Sequence, residues 1–123
     1  MGAKILLCDR NEAILWSTKM VLKHSHDEFE IDIAQSFDDA KEKINTGGYT
    51  CLITSVRLNG TKSGLELYDY AQQAGVASTI LSGAVNPVDG YAWLPKHRFL
   101  ECLDDLIAWI KGGCTGRFTS PNV

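Results

Sequence analysis

The stretch from Tyr49 to Leu67 reads YTCLITSVRLNGTKSGLEL, and it decides the fold. Its first part, Cys51–Thr54, is an almost continuous apolar run, which is typical of a short strand covered on both faces. Its last part opens a helical stretch from about Gly64 to Ala74, and Gly75 is a favourable residue for ending a helix. The stretch therefore predicts one strand-to-helix unit of a parallel sheet.

The same alternation of apolar runs and amphipathic stretches extends over the rest of the chain. It indicates an α/β fold with a five-stranded parallel sheet. The predicted strands are Lys4–Cys8, Glu30–Ala34, Cys51–Thr54, Ser78–Leu81 and Tyr91–Leu94. The predicted helices are Glu12–His24, Phe37–Asn45, Gly64–Ala74 and Phe99–Lys111, with Ser36 and Asp39 as a variant capping box for the second.

The connection between the fourth and fifth strands is short. Only Ser82–Gly90 is available there, and this segment contains Gly83, Pro87 and Gly90. A crossover that includes a helix needs at least about 10–12 residues. We therefore expect the helix between these two strands to be shortened to one turn or absent.

Length and composition restrict the class of protein. A chain of 123 residues fits one domain, which we place at residues 1–111, followed by a flexible tail at 112–123. The formal net charge of −3 gives no reason to expect nucleic acid as a partner, and no apolar run approaches the roughly 20 residues of a membrane helix. The four cysteines lack metal or redox spacing, and we expect Cys8 and Cys51 to be small buried residues of a cytoplasmic protein.

Polar and charged residues follow the predicted strands at their carboxyl ends. They are Asp9 and Arg10 after the first strand, Ser55 after the third, Ser82 after the fourth and Lys96 after the fifth. In open parallel sheets, functional groups gather at this edge. The sequence therefore predicts that these five residues form one pocket.

The order and spacing of these residues resemble the receiver domain of two-component response regulators, the CheY-like family. The resemblance covers about Lys4–Ile110. It implies a flavodoxin-like three-layer sandwich with strand order 2-1-3-4-5. It also implies that Ser82 matches the family's Ser/Thr that contacts the phosphoryl group, that Lys96 matches its invariant lysine, and that Trp93 occupies the position of its switching aromatic residue.

Two positions depart from the family's pattern. Ser55 stands where the family has its phosphorylated aspartate, and Arg10 replaces the second of two acids that hold Mg²⁺, of which Asp9 matches the first. A hydroxyl cannot form an acyl phosphate. The pocket would carry a net charge of +1, which is a poor site for a cation that prefers carboxylates. We therefore expect no metal and no other cofactor.

Two interpretations of this pocket remain open. Asp9 could pair with Lys96 or Arg10 in an internal network that holds the fold in one state. Alternatively, the positive pocket with Ser55 and Ser82 could bind an anion such as phosphate or a carboxylate.

The residues predict an interaction module rather than an enzyme. GxGxxG and GxxxxGK motifs are absent from the sequence. Ser55 could be a target for a kinase or a nucleophile, but it has no His in register to act as a base, and a plain polar substitution explains it better. Trp16 and Met20 share a face of the first helix that could bind a partner protein. The hypothesis is a phosphorylation-independent pseudo-receiver in bacterial two-component-type signalling, either a monomer or a weak homodimer. The alternative is a sensor of an anion or small ligand.

Overall fold

The computed structural model describes residues 3–25, 27–82, 91–96 and 99–114. Five strands and four helices follow one another along this part of the chain. The strands are β1 (Lys4–Cys8), β2 (Glu30–Ala34), β3 (Cys51–Thr54), β4 (Ala77–Ser82) and β5 (Trp93–Pro95). The helices are α1 (Glu12–Ser25), α2 (Phe37–Gly47), α3 (Gly64–Gln73) and α4 (Leu103–Lys111).

All neighbouring strands are parallel, in the order β2-β1-β3-β4-β5. This confirms the predicted flavodoxin-like sheet. The register places Leu7 of β1 between Ile33 of β2 and Ile53 of β3. Every strand therefore points its carboxyl end toward one edge of the sheet.

The central strands are buried on both faces. Successive side chains of a strand point to opposite sides of the sheet, so neighbouring residues of one strand contact different helices. Ile5 and Leu7 of β1 face α1 and α4, in a core that includes Leu15, Leu22, Leu106 and Ile110. Leu6 and Cys8 face α2 and α3, in a second core that includes Ala40, Ile44, Leu67 and Ala71. This three-layer arrangement explains why β1 and β3 are continuous apolar runs.

Two serines cap the amino ends of α2 and α3, the helices on the Leu6 side of the sheet. The Ser36 hydroxyl accepts a hydrogen bond from the Asp39 amide (3.1 Å), but the Asp39 carboxylate binds Lys43 instead of completing the predicted capping box. The complete capping box is at α3, where Ser63 Oγ accepts from the Glu66 amide (3.4 Å) and Glu66 Oε2 accepts from the Ser63 amide (3.0 Å). Gly75, in the left-handed region at φ 82°, follows this helix as predicted.

Several boundaries differ from the sequence prediction, most of them by one or two residues. Helix α4 begins at Leu103 rather than Phe99, because residues 99–103 form turns with bonds three residues apart before the helical ladder starts. Apolar periodicity alone does not distinguish such tight turns from an α-helix. Strand β5 is shifted to Trp93–Pro95, and β4 is one residue longer at each end. Helix α1 buries Leu15 and Leu22, whereas Ile14 and Val21 are only partly covered.

Two sequence predictions concern segments that the structure does not describe, or describes only in part. The shortened connection at 82–90 lies outside the described residues beyond Ser82, and so does the tail from residue 115 onward. The domain boundary at residue 111 stays a prediction. Cys114, which the sequence assigned to the flexible tail, is buried and packs in the α1/α4 core.

Among the helices of the described residues, none has the length and hydropathy to cross a bilayer. The predicted burial of Cys8 and Cys51 is confirmed.

Candidate functional site at the carboxyl edge of the sheet

The parallel strands bring the predicted pocket residues to one edge. The Asp9 amide donates to Ala34 O at the end of β2 (3.2 Å), and the Ser55 amide donates to Cys8 O at the end of β1 (2.9 Å). Ser82 ends β4, opposite Pro95 of β5 in the register, and Lys96 follows directly. The backbone ladder, rather than any side chain, therefore sets the positions of these residues.

The Asp9 carboxylate uses both of its oxygens. Oδ1 accepts a hydrogen bond from the Asn11 amide (2.9 Å), and Oδ2 accepts from Lys96 Nζ (3.2 Å). The Asp9 side chain is only 7% exposed, whereas that of Lys96 is one-third exposed, at 33%. Of the two interpretations of the pocket, the structure thus contains the ion pair that the internal network requires.

Ser55 is held from several sides. Its hydroxyl donates to Arg57 O (2.8 Å), and its carbonyl oxygen accepts from the Thr54 hydroxyl (2.9 Å). The start of α3 also lies directly against the Ser55 carbonyl, because a Cβ placed on Gly64 would be 1.7 Å from Ser55 O. The Ser55 hydroxyl is therefore committed to an internal bond, and the side chain is almost fully buried.

Arg10 and Glu12 lie outside this network. The Arg10 side chain is exposed, and the Arg10 backbone amide donates to Arg57 O (3.4 Å). Glu12 begins α1, where its Oε1 accepts from Trp16 Nε1 (3.4 Å). The carboxylate of Glu12 thus contacts the surface of its own helix and is not part of the Asp9–Lys96 network.

These contacts do not fit a magnesium ion. Mg²⁺ needs oxygen ligands in near-octahedral geometry, usually with carboxylates among them. The Asp9 carboxylate is already in contact with an ammonium group, that of Lys96. No group of three or more potential metal ligands occurs among the residues that the structure describes.

The aromatic residue Trp93 is turned inward. It is 6% exposed and packs with Tyr68, Ile80 and Ala92. Tyr68 of α3 fixes this corner, because its hydroxyl accepts from the Ala92 amide (3.1 Å) and its ring meets that of Tyr91 edge-on at 4.8 Å. Sequence reasoning missed Tyr68, although its place on the inward side of α3 was a usable signal.

Tyr91 extends this corner to the surface. Its hydroxyl donates to Asp69 Oδ2 (3.0 Å), and this bond to a carboxylate raises the pKa of Tyr91 above its usual value of 10.0.

Trp16 and Met20 are exposed on α1, at 47% and 68%. Lys19 lies over the Trp16 ring, with Nζ 5.1 Å from its centroid. These two apolar side chains on one turn leave an uncovered patch that the pocket does not explain.

Neither a family model nor a curated protein matches this sequence. Solved structures do match in fold. A CheY-like receiver domain from Methylobacillus flagellatus has a TM-score of 0.75 at 20% identity, covering 89% of this chain and 99% of that one. A CheY-like receiver domain from Methanospirillum hungatei JF-1 has a TM-score of 0.69 at 21% identity, covering 91% and 98%.

The non-phosphorylated receiver domain of the stress response regulator RcsB from Escherichia coli has a TM-score of 0.77 at 14% identity, covering 98% of this chain and 99% of that one. RcsB dimers bound to DNA also match, with a TM-score of 0.80 at 14% identity, but over only 64% of their chain. Strand order, helix placement and these likenesses agree: the chain has the fold of a CheY-like receiver domain.

Proposed function

We propose that this protein is a pseudo-receiver, a module of two-component-type signalling that binds a partner protein without being phosphorylated. The observation that carries the proposal is that polar groups of the pocket already form hydrogen bonds within the protein. Both oxygens of Asp9 are engaged by Asn11 and Lys96, and Ser55 stands in the acceptor position with its hydroxyl bound to Arg57 O.

The chemistry of Ser55 supports phosphorylation independence. A receiver forms an acyl phosphate on a carboxylate, with Mg²⁺ nearby. A serine hydroxyl would form a phosphate ester instead, and it needs a base to remove its proton. The described contacts of Ser55 provide no such base, and Asp9 is neutralised by Lys96.

The partner is proposed to be a protein of the same signalling class. The exposed Trp16 and Met20 on α1 are the side chains that we assign to its contact. The net charge of −3 argues against nucleic acid as a partner. The binding of DNA by RcsB dimers is a property of that protein. The proposal places the protein in the cytoplasm, where two-component phosphorelays operate, and gives it no enzymatic activity.

Phosphorylation independence is tested by amide NMR with Mg²⁺ and beryllofluoride, and by intact mass after incubation with acetyl phosphate. We expect no saturable shifts at Asp9, Ser55, Ser82 and Lys96 and no added phosphoryl group. A conventional receiver treated in parallel shows that the reagents are active. A double variant with Arg10→Asp and Ser55→Asp restores the acids, and any response confined to it would support the proposal.

Saturable shifts or a phosphorylated wild-type protein would overturn the proposal. Titration with inorganic phosphate alone tests the anion-sensor alternative. Saturable binding of phosphate would favour that alternative, whereas an unchanged spectrum would leave the internal network as the better explanation.

The binding role is tested by comparing wild type, Ser55→Ala and a Trp16→Ala/Met20→Ala variant in affinity capture, with captured proteins identified by mass spectrometry. We expect wild type and Ser55→Ala to retain the same histidine kinase or phosphotransfer protein and the α1 variant to lose it. Capture that requires acetyl phosphate, or that survives the loss of both α1 side chains, would contradict this assignment.

A further inference from the structure

The end of α4 turns a cysteine back into the core. Gly113, at φ 87°, donates its amide to Ile110 O (3.1 Å), and the Cys114 amide donates to Trp109 O (3.0 Å). These are the two bonds of a Schellman motif, which typically brings the residue after the glycine against the last turns of the helix. Cys114 is thereby only 7% exposed.

The residue that Cys114 meets is another cysteine. Cys51 is the first residue of the central strand β3, fully buried, and it belongs to the same apolar cluster as Cys114. The side chains of Cys51 and Cys114 are close enough to interact through a hydrogen bond. Two thiols that are 63 positions apart in the sequence, at 51 and 114, are thus neighbours in the core.

The two thiols differ in reactivity. The hydrogen bond from Cys51 stabilises the Cys114 thiolate and lowers the pKa of Cys114 below its usual value of 9.0. The same bond, together with burial, raises the pKa of Cys51. Since the thiolate is the nucleophile, the more exposed cysteine of the pair is also the one that ionises first.

A surface groove of about 310 Å³ passes beside both cysteines. Thr50 and Gly113, the residues directly before Cys51 and Cys114, line it, together with Phe29 and Ile110. The groove lies at the amino end of the strands, opposite the Asp9–Lys96 pair. Neither cysteine lines the groove itself, but the groove is the side from which we expect a small oxidant to reach Cys114, away from the carboxyl-edge pocket.

We infer that Cys51 and Cys114 form an oxidisable dithiol, a modification site that is distinct from the degenerate receiver pocket. With hydrogen peroxide as oxidant, the Cys114 thiolate attacks one peroxide oxygen, the O–O bond breaks, and hydroxide leaves as Cys114 becomes a sulfenic acid. The sulfur of Cys51 then attacks the Cys114 sulfur, and the displaced hydroxyl takes up the Cys51 proton and leaves as water. Two thiols and one peroxide give one disulfide and two waters.

The other two cysteines provide internal controls. Cys8 lies on the opposite face of the sheet, where burial raises the pKa of its thiol to about 12. Cys102 is almost fully buried at the start of α4. We therefore expect oxidation to be selective for one pair among four cysteines.

The experiment treats the full chain with hydrogen peroxide, blocks remaining thiols with an alkylating agent, and records intact mass and peptide maps. Wild type and Cys8→Ala should each lose two hydrogens and yield a peptide joining Cys51 to Cys114. Cys114→Ser and Cys51→Ala should not form this link. Because Cys51→Ala disturbs the core, Cys114→Ser is the decisive variant, and circular dichroism checks that each variant is folded.

Three results would overturn the inference. One is a wild-type protein that keeps four alkylatable thiols at peroxide concentrations that oxidise an exposed thiol. Another is a link that involves Cys8 or Cys102, or that joins two chains. The third is addition of oxygen to Cys114 with no disulfide, which would mean that Cys51 does not resolve the sulfenic acid.

Discussion

At the scale of single residues, the pocket depends on Asp9. A carboxylate at 7% side-chain exposure is costly unless it is paired, and Lys96 supplies the opposite charge at 3.2 Å. Ser55 needs no charge partner, since its hydroxyl and the Arg57 carbonyl satisfy each other. Position 55 is thus neutral, and the ammonium group of Lys96 pairs with Asp9.

The substitution Lys96→Met should lower the free energy of unfolding by about 1–3 kcal/mol. Breaking a buried pair typically costs about 3–5 kcal/mol, and the exposure of Lys96 to solvent reduces that value. Urea denaturation measures the change. The matched control is Lys43→Met, whose pair with Asp39 is exposed on both sides and should cost about 0.5 kcal/mol or less. Equal losses in the two variants would contradict the assignment of Asp9 as a buried charge.

The raised pKa of Cys8 leads us to expect that the free energy of unfolding depends on pH in the alkaline range. Burial raises its pKa from 9.0 to about 12 in the folded protein, so the folded state retains a proton that the unfolded state loses. Its contribution is fully present below pH 9 and is lost as the pH rises toward 12, at up to about 1.4 kcal/mol per pH unit. Urea midpoints between pH 8 and 11 should fall less steeply in Cys8→Ala than in wild type. Parallel slopes would show that Cys8 does not contribute.

At the scale of elements, the contact between β3 and α3 brings the pocket together. Helix α3 begins at Gly64, and the absence of a side chain there lets the helix start lie directly on the Ser55 carbonyl. The capping box of Ser63 and Glu66 satisfies the amides at this start. The capping box is therefore the local reason why α3 begins here, and the missing side chain of Gly64 is the tertiary reason why the helix fits against β3.

The substitution Gly64→Ala should destabilise the protein by about 2–3 kcal/mol and shift the amide resonance of Ser55. Its Cβ would lie 1.7 Å from Ser55 O, so either the helix start or the end of β3 must move. Chemical denaturation and amide NMR measure both effects. Gly112→Ala is the control, because its Cβ would come no closer than 3.3 Å to Ala108 O. If both variants are equally stable, the close approach of α3 to β3 is not a constraint.

At the scale of the whole molecule, stability comes from a sheet that is covered on both faces. Adjacent residues of β1 serve different cores: Leu7 packs with α1 and α4, and Leu6 packs with α2 and α3. Both are almost fully buried. Loss of packing in either core should therefore lower the free energy of unfolding of the whole domain.

We expect Leu6→Ala and Leu7→Ala each to cost about 2–5 kcal/mol, because each removes a large side chain from a closed core. Leu100→Ala should change stability by less than about 0.5 kcal/mol, since Leu100 is 71% exposed. Thermal and urea unfolding test this. A small loss in only one of the two β1 variants would show that the layer on that side is dispensable.

Much of this architecture could be read from local patterns. Apolar runs predict four of the strands to within a residue at each end. Parallel strands with helical connections imply a common carboxyl edge, so the sequence alone predicts that Asp9, Ser55, Ser82 and Lys96 lie near one another. The assignment of these residues to a pseudo-receiver stays a prediction. Tight turns at residues 99–103 could not be foreseen, because apolar spacing is similar in a 3₁₀-type turn and an α-helix.

The sequence by itself determined the order of the elements and the polar residues that follow the strands, with a serine at position 55. These follow from the residue types and their periodicity. Only the tertiary structure decided that Asp9 pairs with Lys96 rather than Arg10, and that Cys114 contacts Cys51. The physical reason is that such contacts join residues far apart in the chain, and side-chain direction and burial select among partners that the sequence leaves equivalent.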